Sequence, residues 1–285
     1  MDVGIGLPNS LIGVRGPDLV DWAQRAERNG FSVLGTIGRI VYDTQEELIS
    51  LAAAAGATER IELMTTVLVA PPRQPVLLAK QAATLSRVSG GRFRLGLGLG
   101  PRDDDWLALG VEPTDRGKRL DEVIDTCRAV WAGEPPPGVE GRVGPRPEHL
   151  PLVLSGFSEA AFRRAGQKAD AFLAGPVPPE SVGQAFQAVT EAAGEAGRPT
   201  PKLYAARYAA LGDDVSDEAD RNLASYYGSA GEAFVSMMRE NVLRTPEQVR
   251  EAMAALEQRG CQELCLWPLA TDAAQVDRLA EAALG

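Results

Sequence analysis

The chain has few side chains of the kinds that do acid–base or metal chemistry. Its one histidine is His149. A Ser-His-Asp triad needs an imidazole beside its nucleophile, and His149 precedes a predicted strand, at the wrong end for a barrel site. Cys261 and Cys265 with that single histidine fall short of a zinc ligand set, so buried or edge cysteines are the plainer reading. Asp103-Asp104-Asp105 has the charge for magnesium. Successive acids at a helix start more commonly complement the helix dipole and face water.

Backbone chemistry remains. Gly96-Leu97-Gly98-Leu99-Gly100 is a glycine-rich strand exit without the wider spacing of a dinucleotide fingerprint. It reads equally as a close-packed strand end or as bare backbone against which a flat ligand lies. Ser155-Gly156-Phe157-Ser158 ends a strand and opens a helix. Its N–H groups and the Ser158 hydroxyl suit a phosphate, although Ser158 also suits a simple helix cap. Such a site would hold a cofactor and leave the redox chemistry to it.

The elements that must position these residues alternate. Strands are expected at Val3 to Leu7, Phe31 to Thr36, Ile61 to Val69, Phe93 to Leu99, Pro151 to Leu154, Ala171 to Ala174, Leu203 to Leu211 and Glu263 to Trp267. Helices are expected at Pro17 to Asn29, Thr44 to Ala55, Val76 to Ser89, Asp115 to Trp131, Glu159 to Lys168, Pro179 to Ala196, Pro246 to Gln258 and Ala273 to Ala283. Thr44 and Glu47 have capping-box spacing, Pro17 suits a first helical turn, and Gly30 suits a C-terminal cap. Asp217 to Asn241 reads as a helical insertion after the seventh strand, and Gly133 to Leu150 as an irregular Pro/Gly loop. Eight strands alternating with helices predict parallel pairing and an α/β architecture, a (β/α)8 TIM barrel in a single domain over 1–285. A doubly wound open sheet is the alternative. In a barrel the site lies at the C-terminal strand ends, where both glycine motifs fall.

The chain has 285 residues with 45% hydrophobic and 24% charged residues, as in a soluble domain with a sizeable core. No apolar run is long enough for a membrane span. A formal charge of −10 disfavours a basic face for nucleic acid or anionic lipid. Three cysteines cannot all pair within one chain and fit a reducing cytoplasm. The N-terminus shows no export signal.

The segment from Thr65 to Gly100 is more specific. It reads Thr65-Thr66-Val67-Leu68-Val69, Arg73-Gln74-Pro75-Val76-Leu77-Leu78-Ala79-Lys80-Gln81, Ala83-Thr84-Leu85, Ser89-Gly90-Gly91-Arg92-Phe93 and Leu95-Gly96-Leu97-Gly98. This resembles the signature of the bacterial luciferase-like monooxygenase family. Arg116, Arg119-Leu120-Asp121-Glu122, Gly156 with Ser158, and Asp170-Ala171-Phe172 extend the resemblance along essentially the whole chain.

The resemblance implies a (β/α)8 barrel that uses reduced FMN with dioxygen, or the deazaflavin coenzyme F-420 for hydride transfer. It implies a non-proline cis peptide at Thr66-Val67 behind the ring, and a wall at Gly98 and Gly100 beside it. It places the cofactor phosphate on Gly156, Phe157 and Ser158, with Arg116 as a basic contact. A monooxygenase acting on a small organic substrate is the leading expectation, with FMN supplied by a separate reductase and a homodimer as the assembly. A deazaflavin-dependent reductase or dehydrogenase and a non-catalytic flavin-binding relative are the alternatives. The chain also departs from the pattern. Relatives often carry Asp where Gly38 stands and an aromatic where Pro101 stands.

Overall fold

The computed structural model describes all 285 residues. Short apolar runs punctuated by glycine and proline give strands β1 (Asp2–Gly6), β2 (Val33–Thr36), β3 (Glu62–Thr65), β4 (Leu68–Val69), β5 (Phe93–Gly98), β6 (Leu152–Ser155), β7 (Ala171–Ala174), β8 (Lys202–Ala209) and β9 (Glu263–Pro268). Between them lie α1 (Gly16–Arg28), α2 (Glu47–Ala57), α3 (Pro75–Val88), α4 (Asp103–Ala108), α5 (Arg116–Ala132), α6 (Glu159–Lys168), α7 (Pro179–Glu195), α8 (Ser216–Tyr227), α9 (Glu232–Glu240), α10 (Pro246–Glu257) and α11 (Ala274–Ala283). All strand pairs are parallel, in the order β3-β2-β1-β9-β8-β7-β6-β5-β4, and β3 also pairs with β5. That last pairing closes the sheet into the expected barrel, so the open-sheet alternative falls.

The ninth strand arises because the expected third strand is broken. Met64 lies opposite Arg94 and Leu68 opposite Leu97. The β3–β4 side therefore carries one residue more than β5 over the same stretch, which is a bulge. The break contains the cis peptide Thr66-Val67, as the resemblance implies.

Alternation along the strands divides the core. Leu34, Leu63, Leu95, Leu154 and Leu266 face outward into a layer of 53 buried residues between sheet and helices, so most burial lies outside the barrel. Val33, Met64, Val153, Leu173, Ala206 and Cys265 fill the interior. This inner cluster runs on into Val215, Ala219 and Leu223 at α8 and Met238 at α9. The insertion after β8, expected from sequence, is thus a plug that continues the barrel core rather than a surface appendage.

Two local readings need correction. Thr44 does not cap α2. The preceding segment is tied down by Asn9, whose carbonyl accepts from Gln45 N at 3.2 Å and whose amide donates to Gln45 O at 3.2 Å. The helix therefore begins later, capped by Glu46, which accepts from Ile49 N at 2.8 Å. The acids Asp103–Asp105 do open a helix, but Asp105 is buried instead of facing water. No helix is long and apolar enough to cross a membrane.

Candidate active site at the barrel mouth

The C-terminal ends of the strands form two halves of different character. On the β8–β9 side, Tyr208 and Trp267 point inward and are buried, with ring centroids 5.2 Å apart. The Tyr208 hydroxyl meets the Tyr227 hydroxyl of α8 at 2.9 Å. Tyr226, Tyr42 and Phe234 extend this cluster through edge-to-face contacts. Burial pushes the Tyr208 phenol well above its usual range, reinforced by Tyr227 and Tyr226. Tyr226 is raised by burial as well. Raised in this way, these phenols are disfavoured as bases.

The β4–β6 side is more open. Val67, Leu99, Gly100, Ser155 and Gly156 are half-buried, and Phe157 is 69% exposed. The glycines here pack against the bulged strand. A Cβ on Gly98 would meet Val67 Cγ2 at 2.6 Å, and one on Gly100 would meet Val69 Cγ1 at 2.6 Å. Val67 thus stands over the Gly98 backbone and presents the apolar surface at this wall. Thr66 Oγ1 donates to Thr36 O at 3.0 Å, which fixes the bulge against β2.

Gly156, Phe157 and Ser158 follow β6, and their N–H groups donate to no acceptor in the chain. Ser158 Oγ accepts from Ala161 N at 3.3 Å and caps α6. Three successive amides without acceptors ahead of a helix N-terminus are groups of the kind that bind an anion. The Phe157 ring covers Gly175, where a Cβ would lie 2.5 Å from the ring. In donor chemistry these residues are compatible with a phosphate group. Val67, Leu99 and Gly100, half-buried, lie at the neighbouring strand ends.

Arg116 opens α5 and is engaged within the chain. Its Nη1 donates to Gly100 O at 2.7 Å, its Nη2 pairs with Asp103, and its guanidinium lies 5.1 Å from the Trp106 ring centroid. It braces the β5–α5 loop and makes no hydrogen bond to Gly156–Ser158. The two loops are nonetheless neighbours, because Arg164 of α6 donates to Gly117 O at 3.2 Å.

Sequence reasoning missed the latch around Arg39. Its guanidinium lies 4.7 Å from the Tyr42 ring and 5.5 Å from the Tyr226 ring, and it donates to Val41 O and to Tyr226 O. Asp105 accepts from Ile40 N at 2.9 Å and Val41 N at 2.7 Å. The β2–α2 loop, α4 and α8 are thereby clasped together. The adjacent Tyr226-Tyr227 pair, in a chain with only five tyrosines, was the signal that pointed here. No group of His, Cys, Asp and Glu is arranged to hold a metal ion.

The closed parallel barrel, with amides left without acceptors after β6 and an aromatic cluster at β8–β9, places the chain among α/β barrels with their functional residues at the C-terminal strand ends. The sequence matches the family described as luciferase-like monooxygenase over residues 5–284, and the chain belongs to that family. A protein of Mycobacterium tuberculosis is 34% identical over 168 residues, 54% of this chain and 57% of its own. The 4-hydroxyprotoasukamycin monooxygenase of Streptomyces nodosus subsp. asukaensis is 33% identical over 166 residues, 52% of this chain and 45% of its own. The chain thus aligns with about half the length of these relatives. Among solved structures, an F420-dependent secondary alcohol dehydrogenase bound to an F420-acetone adduct superposes with a TM-score of 0.83 at 18% identity, covering 99% of this chain and 98% of that one. The oxygenating constituent of 3,6-diketocamphane monooxygenase from Pseudomonas putida, with FMN, superposes with a TM-score of 0.75 at 19% identity, covering 99% and 96%. At these identities the likeness shows the shared fold.

Proposed function

We propose that the chain is an oxidoreductase that works through a flavin-type cofactor, as a monooxygenase taking reduced FMN from a separate reductase and dioxygen to a small organic substrate. The observation that carries this reading is the run of free amides at Gly156, Phe157 and Ser158 beside a mouth lined by aromatic rings. Reduced FMN, when bound, supplies the electrons for dioxygen activation. The chain's own residues bind and shield. Gly156–Ser158 would hold the phosphate, and Thr66, Val67, Gly98 and Gly100 would back the ring. Tyr208, Tyr227 and Trp267 would exclude water, which strengthens every polar interaction inside. Family membership and the likeness to a monooxygenase 33% identical over half the chain support it.

The likeness to a deazaflavin-dependent dehydrogenase supports a second reading, hydride transfer with the deazaflavin. Titrating both cofactors in both redox states separates the two. The leading reading expects tight binding of reduced FMN and oxygen consumption with substrate. Deazaflavin binding without FMN binding would replace it with the second.

A charge placed on the cradle tests the anchor. Ser158→Asp is expected to weaken FMN about tenfold or more while sparing riboflavin, which lacks the phosphate, since like charges repel at short range. Equal effects on both ligands would remove the phosphate from this loop.

The proposal includes a homodimer through the outer face of α2. Leu48, Ile49, Leu51 and Ala52–Ala55 make this helix apolar on every side, yet Ile49 is 69% exposed. A helix apolar all round is normally covered. Sedimentation equilibrium is expected to give twice the chain mass, and Ile49→Asp to give the monomer.

A further inference from the structure

The strand-two corner of the mouth has no acidic side chain of its own, because Gly38 stands there. The volume is nevertheless occupied. A Cβ built on Gly38 would fall 1.5 Å from Glu47 Oε1 and 1.8 Å from its Cδ. The carboxyl group of Glu47, from the first turn of α2, therefore sits where a side chain at 38 would sit. Glu47 is 1% exposed. Its Oε2 is 3.0 Å from Arg73 Nη2, and its Oε1 has no hydrogen-bond partner. Arg73 in turn donates to Glu46 Oε1 at 2.9 Å and to Val69 O at 3.3 Å. A line of contacts thus runs from Gly38 through Glu47 and Arg73 to β4, the strand that Gly100 packs against.

We propose that Glu47 supplies, from helix α2, the carboxyl group of the strand-two corner, and that it acts there as a positioning residue that fixes Arg73 and the Val67–Val69 wall of the cofactor site. Its second oxygen, Oε1, is buried at this end of the barrel with no hydrogen-bond partner. Asp105, the other buried acid here, has its Oδ1 taken by two amides. Burial pushes the Glu47 carboxyl up, Arg73 pulls it down, and Glu46 pushes it up again, with a net rise. The charged and titratable groups around it are Glu46 on its own helix, Arg73 from the β4–α3 loop, and Tyr226 from α8, whose own titration senses Glu47. Arg39 adjoins Gly38 in the chain and stacks on that Tyr226 ring. Burial disfavours the charged form of Glu47, and a change in its ionisation changes the charge at this corner of the site.

The inference rests on the flavin reading for its effect on the cofactor, but its geometry is testable without one. Gly38→Asp alone places a second carboxylate in an occupied volume and is expected to lower the melting temperature. Glu47→Ala empties that volume. If the two positions share one role, Gly38→Asp with Glu47→Ala restores both stability and the pH dependence of unfolding, and Gly38→Asn with Glu47→Ala restores stability only. For cofactor binding, Glu47→Ala is expected to weaken reduced FMN about tenfold and to flatten the pH profile of its affinity, within the coupling range of contacting residues. The Asp double variant is expected to return both, and the Asn double variant neither. Equal recovery by the Asn variant would reduce Glu47 to a space filler and overturn the proposal, as would an unchanged pH profile in Glu47→Gln. If wild type binds neither FMN nor deazaflavin, the flavin reading fails while the unfolding cycle still decides Glu47.

Discussion

Gly96 carries more of the barrel than its lack of a side chain suggests. Thr65 Oγ1 accepts from Gly96 N at 2.8 Å and donates to Gly96 O at 2.7 Å, so one hydroxyl replaces the ladder where β3 breaks away from β5. A Cβ on Gly96 would lie 1.8 Å from the Thr65 carbonyl oxygen. Backbone cannot yield there as a flexible side chain would. Gly96→Ala is expected to cost on the order of 3 kcal/mol, in the range of overpacked core sites, and to loosen the Thr66–Val67 bulge with it. Gly194 is the internal control. It lies in α7 with nothing within 4 Å of its would-be Cβ, so Gly194→Ala is expected to gain about 0.5–1 kcal/mol from helix propensity. Denaturant titration of both variants checks the pair, and similar midpoints would refute the argument. Of the glycines at the mouth, Gly98 is crowded by Val67, and Gly100 is both crowded by Val69 and held in a left-handed backbone at φ +70°. The sequence motif left that open against direct ligand contact, because a glycine's absent side chain has no pattern of its own.

At the scale of elements, the α8–α9 insertion is held shut from several directions. Arg39 and Tyr42 reach it from the β2–α2 loop, the latter through Ser225 Oγ at 2.7 Å. Arg102 reaches Ser229, Asn222 Nδ2 donates to Leu269 O at 2.8 Å, and Thr271 binds Glu218. Arg39 is central because it stacks on two rings and lies beside the buried Asp105, 3.9 Å away. Removing one partner of a buried pair leaves the other charge uncompensated, at about 3 kcal/mol. Arg39→Ala is therefore expected to lower the melting temperature and to expose the Ser225–Glu232 connection to limited proteolysis, with the barrel itself resistant. Cleavage first in the Gly133–Leu150 loop, at the wild-type rate elsewhere, would count against the latch. Most of these elements were legible in the sequence. The bounds of α6 and β7 match their sequence signals because proline, glycine and alternating apolar residues mark them locally. The break in the third strand was not legible from pattern, since Thr65, Thr66 and Val67 all favour strands and the bulge is set by closure against β5. The start of α2 was misread because Asn9 and Asp105, far off in sequence, hold the preceding segment. The overlap of Gly38 with Glu47 likewise exists only once β2 and α2 are packed together.

The whole molecule is acidic, and its carboxylates divide into those that folding favours as charged and one that it disfavours. Glu27 shows the first kind. Burial opposes its charge, but Glu59, Arg60 and Ile61 all donate their amides to it, at 2.6–3.1 Å, and its carboxyl is held below the usual range. It ties the end of α1 to the turn that feeds β3, so its charge supports the closure of the barrel. Asp121 is the same kind: burial again opposes, and Arg164 and Lys168 of α6 hold it down from across the α5–α6 contact. A carboxyl with a depressed folded value contributes stability that is present above its unfolded value, near 4, and lost as pH falls through the folded one. Glu47 has the opposite sign, so its burial costs more as pH rises through its elevated value. Stability is therefore expected to fall below about pH 4 as the Glu27 and Asp121 contributions vanish. Glu27→Gln keeps an acceptor for the three amides and removes the charge. It is expected to cost about 1 kcal/mol at neutral pH, after screening by solvent, and progressively less as pH falls through the depressed folded value, where wild type loses the same contribution. Unfolding curves for both proteins across that range test this directly. A constant gap between them at every pH would mean that Glu27 acts by shape alone, and that the acid limb of the barrel is set elsewhere.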